Sequence, residues 1–304
     1  MFRRHAKTLA LVIVVVLVLA FMAWAGEGLG SRRVPGEGLP AAGAFQASTL
    51  AGTAFSVADG VFMKAKVVSY KHLQDEAANQ VRVIDDKLTA QTDCSGFISY
   101  VLGKSAPMHY KAVMEFARRR YVDDQKQKGL VARDGMPFYP DAKDYADFFA
   151  TLDSNTPKHG WISVDSVWDL QQGDIIAWGK DNWDGKGNSG HVAMVIEPPS
   201  TQLVGAAVKE KKPDGTEAEM TVNCVNIHVL DSSADYHFPT ENLPPQARPA
   251  QKHRDGLGKG YVRLVLDSNG RPVKYWEGFY SGEAQKAINA PSKSTDIHFA
   301  RLMD

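Results

Sequence analysis

Two hydrophobic rhythms divide this chain. Between Val61 and about residue 170, apolar residues recur at helical intervals, as in "VFMKAKVVSYKHLQDEAANQVRVIDDKL", "HYKAVMEFARRRYVDDQKQ" and "DAKDYADFFATL". The Arg118-Arg119-Arg120 run reads as a solvated helix face. After Trp161 the runs shorten and alternate: "GDIIAWG", "GHVAMVIEP", "MTVNCVNIHVLDSS" and "GYVRLVLDSNGRPVKYWEG". Bounded by turn residues, these read as strands. Asp267-Ser268-Asn269-Gly270 predicts a hairpin between two of them. Helices first and strands second predict an α+β fold, with helices packed on one antiparallel sheet.

The ends carry other patterns. "MFRRHAK" is basic, and residues 9 to 25, "LALVIVVVLVLAFMAWA", hold no charge. An export signal ending at Ala23-Trp24-Ala25 and an uncleaved membrane anchor both fit this layout. Either one places the rest of the chain outside the cytoplasm, in the periplasm or at the inner membrane facing it. Residues 26 to 60 are rich in Gly, Ala, Ser and Pro and predict a flexible tether. The folded domain is expected over residues 61 to 282, with a loosely held polar tail at 283 to 304.

Composition narrows the function. Lys+Arg and Asp+Glu are equal at 35 each, so nothing favours nucleic acid as a partner. The histidines at 159, 191, 228, 237 and 253 form no close ligand pair, and "DNWDGKGNSG" (181–190) lacks the acidic spacing of a calcium loop. No metal or other cofactor is expected.

One stretch suggests chemistry. In "AQTDCSGFISYVL" a helix starts at Asp93-Cys94, with Asp93 as N-cap and Phe97, Ile98, Val101 and Leu102 on its buried face. Cys94 then lies in the first turn, where the helix dipole favours a thiolate. Its backbone N–H is placed to serve an oxyanion. A nucleophilic thiol needs a base, and His191 opens the apolar strand "SGHVAMVIE", sharing a face with Ala193 and Val195. Gly190 leaves room for a neighbouring chain. An orienting residue is expected on the strand "VNIHVLDSS". Val225, Ile227, Val229 and Asp231 form its more apolar face, and Asn226, His228 and Leu230 the other. This alternation favours Asp231 over His228 as the third member. Each residue alone also has a bland reading: an inert buried thiol, a satisfied core histidine, a turn aspartate.

"TDCSGFISYVL", "LQQGDIIAW" and "GHVAMVIE", in that order, resemble the NlpC family of papain-like cysteine peptidases, which cut bacterial cell wall. The resemblance runs from about residue 90 to about 235. It implies a papain-like fold, Cys94 as nucleophile and His191 as general base. The third member would be a polar residue on the next strand, here Asp231 or His228. Gly173-Asp174 would be a structural turn. The implied substrate is an amide bond in a peptidoglycan stem peptide.

The chain also departs from that pattern. The interval from Cys94 to His191 is wide, so residues 104 to 170 look like an insertion, a lid or a substrate wall. The family's Tyr and Gly-Gly before the cysteine are missing; Tyr70 or His72 is the candidate replacement. Cys224 lies in an apolar strand, and both thiols are expected to be free. Two other functions remain open: an amidase or acyltransferase on a substrate outside the wall, and a catalytically inactive papain-like binding or scaffold domain.

Overall fold

Strand pairing explains how residues distant in sequence come together in this protein. A computed structural model describes residues 49–70, 80–84, 87–129, 139–180, 189–200, 203–211, 216–234, 255–268, 270–279 and 296–304. They fall in one unit, Phe45–Asp304. The helices are α1 (Thr49–Lys64), α2 (Cys94–Ser105), α3 (Pro107–Gln127) and α4 (Ala142–Phe149). A small sheet joins β1 (Val67–Ser69), β2 (Gln80–Ile84) and β3 (Lys87–Gln91) in the order β1-β3-β2. The large sheet contains β4 (Trp161–Ser163), β5 (Ile175–Gly179), β6 (Gly190–Val195), β7 (Val204–Lys211), β8 (Glu217–Ser233), β9 (Gly256–Leu266), β10 (Pro272–Phe279) and β11 (Ile297–Leu302). Its order is β10-β9-β8-β6-β5-β11-β4, with β7 also paired to β8, and every pairing is antiparallel. The α+β class is as the hydrophobic rhythm predicts.

Two cores lie on opposite faces of this sheet. On one face Phe97, Ile98, Val101 and Leu102 of α2 pack with Phe62 of α1, Phe148 and Phe149 of α4, and Ala177, Val192, Met194 and Leu230. Each such apolar side chain contributes about 1.5–3 kcal/mol when fully buried. On the other face Ile176, Trp178, Ala193, Val195, Val225, Ile227, Val229, Val262, Leu264 and Tyr275 form a core of strand residues. The sheet curls around this second core. Trp178 of β5 meets Tyr275 of β10 at a ring separation of 4.3 Å, although three strands lie between theirs in the sheet.

The β9–β10 hairpin turns at Asp267–Gly270 as expected. Asp267 Oδ1 accepts from Arg271 N–H at 2.8 Å, and Gly270 N–H donates to the Asp267 carbonyl at 3.1 Å.

Several expectations are corrected. The tether cannot reach residue 60, because α1 begins at Thr49 and buries Ala51, Ala54 and Ala58. Its alanines looked like linker composition but allow the helix to pack closely. The helical reading from Val61 stops at Lys64; β1, β2 and β3 follow. The described part of residues 104 to 170 belongs to the fold. It supplies α3, α4 and β4, and α4 buries Tyr145, Phe148 and Phe149 in the first core. Of the arginine run, Arg118 and Arg119 are exposed, but Arg120 reaches Asp144 at 2.6 Å and Asp147 at 3.0 Å.

The largest correction concerns the tail. Ile297–Leu302 forms β11, inserted between β5 and β4. Its polar composition predicted a loosely held tail, but Arg301 is an anchor. Its guanidinium is instead buried on Asp174, with Nε to Oδ1 and a terminal nitrogen to Oδ2, both at 2.8 Å. Asp304 then caps α1, accepting from Thr49 N–H, Thr49 Oγ1 and Leu50 N–H at 2.8–3.2 Å.

Among the described residues no helix is long and apolar enough to cross a membrane. The apolar segment 9 to 25, the first part of the tether, most of the polar tail and nearly all of segment 181–190 lie outside the described residues.

Candidate active site

The turn into α2 is held by side-chain bonds that its own sequence encodes. Asp93 has extended backbone geometry and caps the helix, its Oδ1 accepting from Gly96 N–H at 2.7 Å and from Ser95 Oγ at 3.0 Å. Cys94 therefore occupies the first helical position. Helix geometry leaves the N–H groups of Cys94 and Ser95 without an intrahelical acceptor. The preceding Thr92 is equally fixed: its N–H donates to the Ser69 carbonyl at 3.1 Å, and its hydroxyl to the Asp93 carbonyl at 3.0 Å.

His191 begins the second strand row. It shares a face with Ala193 and Val195, as alternation predicts, and its ring lies 5.1 Å from Trp178. Gly190 before it has φ +140°, and a Cβ there would fall 2.0 Å from the Trp178 carbonyl. Only glycine lets β5 pass this close, so the register that delivers His191 depends on it. On β8, the pairing of Met194 with Leu230 and Val195 with Val229 puts Asp231 opposite Ala193. Asp231 is thus on the same face as His191, diagonally displaced. His191 Nε2–H donates to Asp231 Oδ2 at 2.6 Å, and both side chains are buried.

Cys94 comes to this pair from the helical core. Its thiol lies within the electrostatic reach of the His191 side chain and of the Val192 backbone, and both favour the thiolate. With Nε2 engaged by Asp231, Nδ1 is the ring nitrogen left for sulfur. Three residues predicted separately therefore form one chain of contacts: thiol, imidazole, carboxylate.

His228 does not join it. Its Nδ1 lies 3.0 Å from Glu197 Oε1, its ring stacks on Tyr261, and it faces away from the His191 row. Alternation separates it from Asp231, as the strand pattern predicted.

The electrostatics correct one expectation. Cys94 is 5% exposed, and burial pushes its thiol above the ordinary value; His191 pulls it back by charge and hydrogen bonding, while Asp93 adds to the rise. Desolvation outweighs the helix start here. Cys224, also free, is pushed up to about 11 by burial. The expectation of two free thiols agrees with the structure.

Some neighbours were not singled out from the sequence. Ser232, read only as a turn residue, is fully buried, and its hydroxyl donates to the Thr92 carbonyl. Tyr145, fully buried, meets Ser99 Oγ at 3.0 Å, one helical turn beyond Cys94. Trp178 had no assigned role beside the histidine. Gly173 does make a tight turn, at φ +90°, and Asp174 is structural as expected, since it holds Arg301. The parallel register of β1 and β3 carries Tyr70 beside Thr92, while His72 lies outside the described residues. Among the described residues no group of three or more His, Cys, Asp or Glu side chains could hold a metal ion. His237 and His253 lie outside them.

Comparison with known proteins gives little further guidance. No family model matches the chain, and no solved structure matches it. The chain is similar to an uncharacterised protein of Acanthamoeba polyphaga mimivirus, 25% identical over 187 residues, covering 60% of this chain and 67% of that protein.

Proposed function

We propose that this protein is a cysteine hydrolase with a papain-like arrangement that cuts amide bonds, with peptidoglycan stem peptides as its substrate. The carrying observation is the His191 Nε2–Asp231 Oδ2 bond of 2.6 Å, with the Cys94 thiol beside the same imidazole. A buried carboxylate fixing one nitrogen of an imidazole whose other nitrogen serves a helix-start thiol suits nucleophilic catalysis.

Each step uses groups of this chain. Burial favours the thiol form of Cys94, and His191 acts as a general base during attack. Nδ1 takes the thiol proton as sulfur bonds to the substrate carbonyl carbon. The resulting oxyanion is held by the N–H groups of Cys94 and Ser95. When the carbon–nitrogen bond breaks, His191 gives its proton to the leaving amine, and a thioester remains on Cys94. Water then attacks; His191 accepts its proton and returns one to the departing sulfur. Asp231 keeps the ring in place and stabilises its charged form.

The choice of cell-wall peptide rests on the motif resemblance to the NlpC family. Export rests on the basic start and the apolar residues 9 to 25. To test both activity and substrate, purified peptidoglycan is digested with protein spanning residues 27 to 304, with Cys94→Ala in parallel. Fragments are read by mass spectrometry. Release of stem-peptide fragments by the wild type alone is expected and identifies the bond. Fragments from neither folded protein would reject the wall substrate; equal fragments from both would reject Cys94 as nucleophile.

A further inference from the structure

The proposed chemistry needs two separate parts of the chain, α2 with its leading turn and the β6–β8 pair, held in a fixed relation. The attraction between Cys94 and His191 does not by itself maintain that relation. The distance depends on where the Thr92–Asp93 backbone sits against the sheet.

That backbone is anchored from β8. Along a strand, successive side chains point to opposite faces. Asp231 faces the His191 row, so Ser232 faces the helical layer. There its hydroxyl donates to the carbonyl of Thr92, two residues before the nucleophile. The site is sealed: Ser232 is 0% exposed and Thr92 1%. A buried carbonyl without a donor is costly, and this one lies outside the helix ladder of α2. On its other side the same residue donates its N–H to Ser69 of β1. Thr92 is therefore fixed from two sheets. Asp93, next in line, is fixed by its own capping bonds.

From these contacts we infer that Ser232 is a positioning residue for the nucleophile, acting through the Thr92 carbonyl; this rests on the reading of Cys94 and His191 given above. Asp231-Ser232 works as a two-sided clip. One side chain orients the base, and the next holds the turn that presents the thiol. A change in the path of β8 would move both together, and the thiol–imidazole contact would survive. Loss of the hydroxyl alone separates them, because only the nucleophile's side is released. The Ser232 hydroxyl bonds a backbone carbonyl, so its effect passes through backbone placement.

The test reads the thiol–imidazole contact directly. Alkylation of Cys94 by iodoacetamide is followed by peptide mass spectrometry across a pH series in wild type, His191→Ala, Ser232→Ala and Ser232→Thr. Melting curves check that each remains folded. The His191→Ala profile defines a thiol without its base. Ser232→Ala is expected to slow alkylation at neutral pH by roughly tenfold, in keeping with one buried hydrogen bond, and to carry the profile towards that of His191→Ala. Ser232→Thr keeps the hydroxyl and is expected to retain the wild-type profile.

A purely structural serine would lower the melting temperature and leave the profile of the folded protein unchanged. A Ser232→Ala profile overlaying wild type, while His191→Ala differs, overturns the positioning role alone. So does an equal shift in the alanine and threonine variants, which would make side-chain volume the cause. If Ser232→Ala melts below the assay temperature, the threonine variant decides: a shifted profile overturns the inference and a wild-type profile upholds it. Identical profiles for wild type and His191→Ala would remove the Cys94–His191 reading itself, and this inference with it.

Discussion

Two buried acid–base pairs lie in the same sheet and differ in what stands beside them. Asp174 and Arg301 join the turn before β5 to β11. Arg301 makes two bonds to the carboxylate at 2.8 Å and one to the Asp169 carbonyl, and Asp174 Oδ2 also accepts from Gln171 N–H at 2.7 Å. Burial pushes the Asp174 carboxyl up, and Arg301 draws it back. Every strong group has a partner of matching geometry, so the pair can hold structure and do nothing else. His191 and Asp231 meet through Nε2 and Oδ2, and the imidazole also stands beside a thiol. Equal burial thus serves opposite ends. A carboxylate bound to a guanidinium makes a pin, and one bound to an imidazole beside a thiol makes the arrangement on which the proposed chemistry rests.

The sharpest break of this contrast is at the thiol. Cys94→Ala is expected to lower hydrolysis by on the order of 10⁴-fold or more, with little change in melting temperature. Turnover assays beside thermal denaturation check both halves. Next comes the pin. Arg301→Met strands a buried carboxylate and is expected to cost roughly 3–5 kcal/mol of stability, read by urea unfolding. Activity per folded molecule should persist. Adding Asp174→Leu should recover part of the loss, since the pair's contribution is mainly the mutual neutralisation of its two members.

A smaller effect is expected from Asp231→Asn. The shape stays, but the negative charge behind the imidazole is lost, and turnover should fall roughly 10²-fold with the thiol still alkylated. Single-turnover measurements would separate this from a loss of binding.

The smallest effect concerns a third acid, on α4. Burial, with Asp141 beside it, raises Asp144 to about 7, against the pull of Arg120. Its folded value lies above its unfolded value, so the native state binds the extra proton. Stability should be greatest below about pH 4 as far as this group is concerned, and should fall as pH rises towards about 7. Asp144→Asn should flatten that part of the melting temperature–pH curve. An unchanged slope would show that other groups set it.

Much of the candidate site was legible because it depends on local rules. An aspartate before a cysteine and an apolar stripe predicts a capped helix start, and alternation alone separates Asp231 from His228. The same rules failed where distant chain segments decide the outcome. The alanines of α1 looked like linker because small residues carry little hydrophobic signal until another helix packs on them. The tail looked loosely held because nothing near Arg301 in sequence announces Asp174. Ser232 looked like a turn residue because its acceptor lies across the fold. The helix start at Cys94 was also legible, but its effect on the thiol was not, since desolvation depends on everything that surrounds the sulfur.

The position of β11 bears on the order in which the protein assembles. It lies between β5 and β4, yet more than a hundred residues separate it from β5 in the chain. A polypeptide emerging from its N-terminal end can pair β5 with β6 early, but one edge of β5 stays open until β11 has been made. Pairings this far apart close slowly. Asp174, meanwhile, has no cation, and α1 lacks the cap that Asp304 supplies. The sheet that carries His191 is therefore completed only when a distant strand arrives, so the fold stays unfinished through most of its synthesis.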